Sequence, residues 1–250
     1  VSVPWTNWRW SFLEWYKIRS FAKSLRLLGV DLGVDFKGDI RNSWFLWNTH
    51  PKISFGYETT GGGYFYTNTY VMDQNIHQNK RALKLIEKFG CRSSCDKKSR
   101  YHSIKDGCVV LHSGVSDLAR SWPDSHWVEL VRLLSAKFKV SIVMTTDSSN
   151  LVQKLKKEDL ELQYFEGSLV RFCDYINDQK CLIAPDSMAG HLASYFGIPV
   201  ISLFGSQDPS VTKPKNQYGK IIKPKTICKH DRDHWRRCRL CIASISVSYT

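Results

Sequence analysis

Short apolar runs alternate with amphipathic segments through the second half of the chain, and this alternation constrains the fold more than any other feature. The apolar runs have the length of buried strands, and the segments between them have the apolar spacing of helices. The predicted strands are CVVLHS, VSIVMTT, CLIAP and PVISLFG, and the predicted helices are PDSHWVELVRLLSAKF, SSNLVQKLKKE, LVRFCDYINDQ and MAGHLASYFG. Such alternation produces right-handed crossovers and a parallel sheet covered on both faces. The sequence therefore predicts an α/β fold.

The first part of the chain shows similar elements in a less regular order. Its predicted elements are a basic amphipathic helix at 10–28, strands at VDLGVDF and ISFGY, and helices at 40–47 and 76–90. Residues 93–107 are polar and charged, without periodicity. A chain of 250 residues can bury two modest cores. We therefore predict two domains, 1–92 and 108–250, joined by a linker at 93–107.

Composition and charge exclude some classes of protein and leave others open. No apolar run reaches the roughly 18 residues of a membrane-spanning helix, and the first residues lack the basic-then-apolar order of a secretory signal. Eight scattered cysteines favour a reducing, cytoplasmic location. The net charge of +13 calls for an anionic partner, which charge alone leaves open among nucleic acid, an anionic membrane leaflet and phosphorylated substrates. No nucleic-acid reading motif is present, and a solvated basic surface is the structural alternative.

Three loops follow predicted strands at the edge of the sheet where parallel α/β proteins bind ligands. They are HSGVSDLARSWP, TTDSSN and PDSMAGH. Ser113 and Gly114 could bring backbone N–H groups close to a phosphate, and Arg120 could neutralise it. The structural alternatives are that Asp-Ser before a helix is only an N-cap and that His191 is a core residue.

These motifs together resemble glycosyltransferase family 9, the heptosyltransferases of lipopolysaccharide assembly. In the second half the resemblance rests on VVLHSG, RSWPDSHWVELVRLL, Asp-Ser followed by His at the fifth place, GIPVISLFG and DP. In the first half it rests on DLGVDFKGDIR, ISFGYETTGGGYFYT and IHQNKRALKLIEKFG. The resemblance covers nearly the whole chain.

The resemblance implies an α/β fold of the GT-B type, in which two Rossmann-like domains with parallel sheets face each other across a cleft. It implies transfer of heptose from ADP-heptose, with inversion, to a lipopolysaccharide-type or other glycan acceptor, without a required cofactor. Such an acceptor would be reached from the cytoplasmic leaflet of the membrane. The alternative of another class is a non-catalytic module that binds nucleotide sugars or polyanions.

The resemblance also implies a role for each residue of the donor site. Ser113 and Gly114 would meet the diphosphate, and Arg120 stands where the family usually has a lysine. Met188 stands where the family commonly has a glycine, which favours an altered pocket or the non-catalytic alternative. The remaining residues implied are Asp147 near the nucleoside, and Asp186, Ser187, Gly190 and His191 in a second wall of the site.

The family begins with a strand and a Gly-Asp loop that supplies the general base, and nothing before Trp5 matches it. The resemblance therefore implies an incomplete N-terminal domain. Asp35 and Asp39 are the carboxylates available as an alternative base. Their structural interpretation is a strand end and a helix N-cap.

Two further motifs are interpreted without a ligand. Cys228, Cys238 and Cys241, with His230 and His234 between them, have some of the spacing of a tetrahedral metal site, but a second Cys-x2-Cys pair is missing, so free thiols are expected. GGG at 61–63 lacks the order of a dinucleotide loop and predicts a turn.

Overall fold

The computed structural model describes residues 12–59, 61–91, 106–215, 217–225, 228 and 238–249. The chain divides into two compact units, Val1–Cys95 and Asp96–Thr250. Most of the predicted linker, 93–107, lies outside the described residues, so the domain limits 1–92 and 108–250 stay a prediction.

The first unit contains a parallel sheet of three strands in the order β1-β2-β3. Its described elements are α1 (Phe12–Arg26), β1 (Leu32–Asp35), α2 (Ile40–Thr49), β2 (Ile53–Tyr57), a 3₁₀ helix at Gly62–Phe65, β3 (Asn68–Tyr70) and α3 (Gln78–Lys88). The two predicted strands and three predicted helices are present. Strand β3 was not expected, because three largely exposed residues carry no apolar pattern.

Local chemistry explains where these elements start and stop. Asp39 is the N-cap of α2, as its structural interpretation predicts. Gly90 follows α3 with a φ of +86°, a left-handed conformation that glycine adopts without strain. Of the GGG segment, Gly61 makes a turn with a φ of +78°, and Gly62 and Gly63 begin the 3₁₀ helix Gly62–Phe65 instead of the predicted turn. Buried Phe55, Tyr57 and Leu85 pack together between the sheet and α3.

The second unit contains a parallel sheet of six strands in the order β6-β5-β4-β7-β8-β9. Counted from its own first strand, this is the order 3-2-1-4-5-6 of the Rossmann fold. Its described strands and α-helices are β4 (Val109–Leu111), α4 (Asp124–Ser135), β5 (Val140–Val143), α5 (Ser149–Leu155), β6 (Leu162–Phe165), α6 (Leu169–Asn177), β7 (Cys181–Pro185), α7 (Met188–Tyr195), β8 (Val200–Leu203), α8 (Pro209–Thr212), β9 (Lys220–Ile222) and α9 (Leu240–Ala243).

Two apolar cores cover the two faces of this sheet. Along β4, Val109 and Leu111 belong to one core and Val110 to the other. In β7, Ile183 belongs to the first core and Leu182 to the second. A strand buried on both faces reads as an unbroken apolar run, which is why these strands were predictable. Within the described ranges, no helix combines the length and apolar character needed to cross a bilayer.

Candidate functional site

The order of the strands creates a crevice at one edge of the second unit. From β4 the sheet grows toward β5 on one side and toward β7 on the other, and loops that leave the carboxyl ends of these strands diverge. The pairing of Leu111 with Ile183 continues into a hydrogen bond from the backbone N–H of His112 to the Ile183 carbonyl, 3.1 Å. The loop with Ser113 and the loop with Asp186 therefore start side by side.

Arg120, Asp186 and Gln207 form a polar cluster at this crevice. Arg120 Nη1 lies 3.5 Å from Asp186 Oδ2 and 3.4 Å from the Asp186 carbonyl oxygen. In its hydrogen-bonded orientation the Gln207 amide donates to Asp186 Oδ2 (2.9 Å) and accepts from Arg120 Nη2 (2.8 Å) and Nε (2.6 Å). The guanidinium is thus held in one orientation by the loops that follow β7 and β8.

Asp186 is a buried carboxylate whose charge is only partly compensated. It is 7% exposed. Burial raises the pKa of Asp186, while the positive charges of Arg120 and His191 act in the opposite direction. The structure thus brings His191 within electrostatic reach of Asp186. A carboxylate kept beside an arginine in this way orients the cation, which remains 30% exposed at its side chain.

Two predicted hydroxyls in the crevice are buried and unpaired. Ser113 Oγ and Ser187 Oγ have no hydrogen-bond partner within the described part of the chain. Ser187 occupies the N-cap position of α7, but its side chain makes no capping hydrogen bond. Ser187 therefore holds the capping position without capping the helix through its side chain, and its contact with a donor stays a prediction. A buried hydroxyl without a partner costs free energy, and a ligand with oxygen acceptors would satisfy it.

Gly114 brings the loop after β4 against the loop after β5. A Cβ atom at Gly114 would lie 2.7 Å from Thr145 Oγ1, too close for any side chain without a shift. Asp147 lies two residues after Thr145, in the 3₁₀ helix Thr146–Ser148, and its side chain is exposed. The predicted diphosphate and nucleoside loops are therefore adjacent.

Met188 and Gly190 lie on the same helix but differ in exposure. Met188 is the first residue of α7 and is 54% exposed, beside Ser187. Gly190 is buried, and a Cβ there would lie 3.2 Å from Pro214 Cγ and 3.6 Å from Val200 Cγ1. Gly190 thus has a packing role against the sheet, and its contact with a donor stays a prediction.

The two carboxylates proposed as a general base both have structural partners. Asp39 accepts hydrogen bonds from the backbone N–H and the guanidinium of Arg41, which lower its pKa to about 2. Asp35 is buried and accepts from Tyr66 Oη (2.5 Å) and from the backbone N–H of Lys37 (2.8 Å). With its lowered pKa, Asp39 is a weak base. These contacts favour the structural interpretation of both residues.

No sequence pattern points to Gln207, although it completes the polar cluster. It lies in SQDP, directly after β8, at the same sheet edge as Asp186. The position of a polar residue after a buried strand is the signal that could have identified it.

The thiols of Cys228, Cys238 and Cys241 lie close to one another, while His230 and His234 lie outside the described residues.

The strand order and the polar cluster at its switch point place the second unit among Rossmann-type α/β proteins, which bind nucleotides at this edge. The whole chain belongs to glycosyltransferase family 9 (heptosyltransferase), because the family model matches residues 18–240. In a comparison with curated proteins, none matches.

Solved heptosyltransferases share the fold at low sequence identity. E. coli heptosyltransferase WaaC, solved with ADP, is similar with a TM-score of 0.72 and 14% identity over 96% of this chain and 77% of that one. E. coli ADP-heptose lps heptosyltransferase II is similar with a TM-score of 0.68 and 16% identity, over 85% of this chain and 74% of that one. A family 9 glycosyl transferase from Veillonella parvula is similar with a TM-score of 0.72 and 15% identity, over 98% of this chain and 78% of that one. The predicted family and the predicted α/β fold of the GT-B type, with a smaller N-terminal sheet, are confirmed.

Proposed function

We propose that this glycosyltransferase transfers heptose from ADP-heptose to a lipopolysaccharide-type or other glycan acceptor with inversion, on the cytoplasmic side of the membrane. The observation that carries the proposal is the held arginine of the polar cluster, flanked by unpaired buried hydroxyls at the switch point. WaaC and heptosyltransferase II, which share the fold, are named for ADP or ADP-heptose. A nucleoside diphosphate has the charge and the oxygen acceptors that these groups lack.

In the proposed reaction an acceptor hydroxyl attacks the anomeric carbon opposite the departing ADP. The glycosidic bond forms as the bond to ADP breaks, the acceptor hydroxyl loses its proton to a general base or to solvent water, and negative charge develops on the diphosphate. Arg120 would neutralise this charge, and Ser113 with the backbone at Gly114 would donate hydrogen bonds to it. Donors that are already oriented need no reorganisation during the reaction.

The remaining donor-site residues have supporting roles in the proposal. Asp186 would repel a diphosphate, so we assign it to holding Arg120, together with Gln207. Ser187 and His191 would form the second wall of the site, with Met188 at its rim and Asp147 near the nucleoside. The chemistry requires no metal or organic cofactor. Neither Asp35 nor Asp39 is proposed as the base that takes the acceptor proton, because both are held by structural contacts.

Isothermal titration with ADP and ADP-heptose tests the proposal. Arg120→Met removes the cation at similar length and should weaken ADP binding by about 10- to 100-fold, the effect expected for losing charge-assisted hydrogen bonds. Arg132→Met is the matched control, because Arg132 pairs with Glu158 on an exposed surface of the same unit. Absence of binding to the parent protein, or equal affinities of the two variants, would reject the donor site.

Ser187→Ala gives a second test that folding cannot confound. Because Ser187 Oγ is buried without a partner in the described structure, its removal should not lower the free energy of unfolding. Affinity for ADP-heptose should fall by about 3- to 10-fold, the loss of one neutral hydrogen bond. Binding of the donor without any glycosylated product in mass spectra, with lipopolysaccharide core acceptors, would instead support the non-catalytic alternative.

We also propose that the acceptor is met at an anionic membrane surface through α1. Phe12, Leu13 and Tyr16 on this helix are 96%, 75% and 74% exposed, beside the exposed Lys17 and Lys23. Apolar side chains next to cations suit the interface of an anionic leaflet.

Cosedimentation with phosphatidylglycerol vesicles tests this contact. Lys17→Glu with Lys23→Glu should weaken vesicle binding more than Lys80→Glu with Lys84→Glu, which makes the same charge change on exposed residues of α3. Equal loss in the two double variants would reject a specific role for α1 and leave only the net charge of +13.

A further inference from the structure

Three cysteine thiols that the proposed reaction does not use converge in the second unit. The Sγ atoms of Cys228, Cys238 and Cys241 all lie within 4.8 Å of one another, and those of Cys228 and Cys238 are 3.9 Å apart. None of the three is part of a disulfide. Tetrahedral zinc with Zn–S bonds of about 2.3 Å separates its sulfur ligands by about 3.8 Å. The group is therefore close to the dimensions of a thiolate metal site.

The chain next to this group is packed into the core. Cys241 and Ile242 are 1% and 0% exposed. A Cβ at Gly205 would lie only 2.9 Å from Ile242 Cβ, so α9 contacts the backbone directly after β8. Further along, the Ile245 carbonyl accepts a hydrogen bond from Trp122 Nε1, 3.0 Å. Cys241 thus has a fixed position, which pre-organises one ligand of the site.

We propose that Cys228, Cys238 and Cys241 bind one Zn²⁺ as thiolates, in a site that links Cys228 to Cys238 and α9. Thiolates select zinc and other soft cations over magnesium or calcium. Binding displaces the thiol protons into solvent and involves no change of oxidation state. The site is separate from the proposed sugar transfer, which needs no metal, so the two proposals fail independently.

Metal content of the protein purified under reducing conditions tests the site. Elemental analysis should find about one zinc per chain in the parent protein and in Cys173→Ser, whose thiol on α6 lies outside the group. Cys238→Ser should lose stoichiometric zinc. Cobalt substitution should give a thiolate-to-cobalt charge-transfer band in the parent protein and in Cys173→Ser, and none in Cys238→Ser.

Three results would overturn the proposal. The first is a reduced parent protein that takes up neither zinc nor cobalt, and the second is full metal content in Cys238→Ser. Because that variant could fail to fold, cobalt titration of the parent protein decides independently of any substitution. A Cys228–Cys238 disulfide in the protein from reducing buffer, detected by mass spectrometry, would also overturn it.

Discussion

Replacing Asp39 by asparagine separates a structural role of this carboxylate from a catalytic one. Asp39 Oδ1 accepts hydrogen bonds from the backbone N–H of Arg41 and from its Nε, both at 2.9 Å. Asp39 Oδ2 lies 2.6 Å from Arg41 Nη2. The hydrogen bond with the Arg41 side chain is the largest cause of the lowered pKa of Asp39, about 2 against an ordinary 3.8. Asparagine keeps the capping ability but removes the charge.

The pKa shift gives the size of the effect and its dependence on pH. A lowering by nearly two units corresponds to about 2 kcal/mol of stability at neutral pH. The Asp39 side chain is 18% exposed and that of Arg41 is 28% exposed, so solvent screens the pair in part and the value is an upper estimate. Because the folded-state pKa lies below the unfolded one, this stability is present above about pH 4 and is lost as the pH falls toward 2. At pH 3 about half of it remains.

Urea unfolding at pH 7, 5 and 3 measures this contribution. Asp39→Asn should lower the free energy of unfolding by about 2 kcal/mol at pH 7 and 5, and by about half as much at pH 3. Asp31→Asn is the control, because Asp31 and Lys52 form an ion pair in which both side chains are about three-quarters exposed. Its removal should cost less than about 1 kcal/mol.

The reasoning would be refuted by a cost of Asp39→Asn no larger than that of the control, or by a cost that does not change between pH 5 and 3. Product formation gives the catalytic comparison. Loss of turnover by several orders of magnitude, with stability and donor affinity unchanged, would identify Asp39 as the general base instead.

Two further substitutions test close contacts in each unit. Gly114→Ala should weaken ADP binding in isothermal titration because its Cβ meets Thr145 Oγ1. Adding Thr145→Ala should restore part of the affinity. If Gly114→Ala alone has no effect, the loops after β4 and β5 move freely relative to each other. Tyr66→Phe removes the hydrogen bond to buried Asp35 and should cost about 1 to 3 kcal/mol in urea unfolding, whereas Tyr64→Phe, at a side chain 96% exposed, should cost almost nothing. Equal costs would contradict a structural role for the Tyr66 hydroxyl.

Burial decided which strands were predictable from the sequence. Strands β4, β5, β7 and β8 are apolar on both faces and interrupted by helices of regular length, so their pattern is unambiguous. Strands β6 and β9 lie at the two edges of the sheet and are only partly buried. Their sequences mix polar with apolar residues, and they were not expected. Strand pairing at an edge needs the rest of the sheet, which no local pattern contains.

The candidate site was predictable in its location but not in its internal contacts. The rule that parallel sheets bind ligands at their carboxyl ends identified the loops with Ser113 and Asp186. The pairing of Arg120 with Asp186 spans 66 positions of the sequence, and Gln207 belongs to no motif. Gly190 shows another limit of prediction from sequence. It lies beside the predicted site but packs against Pro214, and this contact is visible only in the structure.

The unused cap of α7 has a consequence for how occupancy of the site could be observed. Ser187 stands at the start of this helix without bonding its first turn, so part of the helix termination is left to whatever binds there. Under the proposed function, the donor completes the helix. Amide hydrogens of Ala189 and Gly190 should then exchange with deuterium more slowly when ADP is bound. Exchange at these two amides would report binding at the site even where no sugar is transferred.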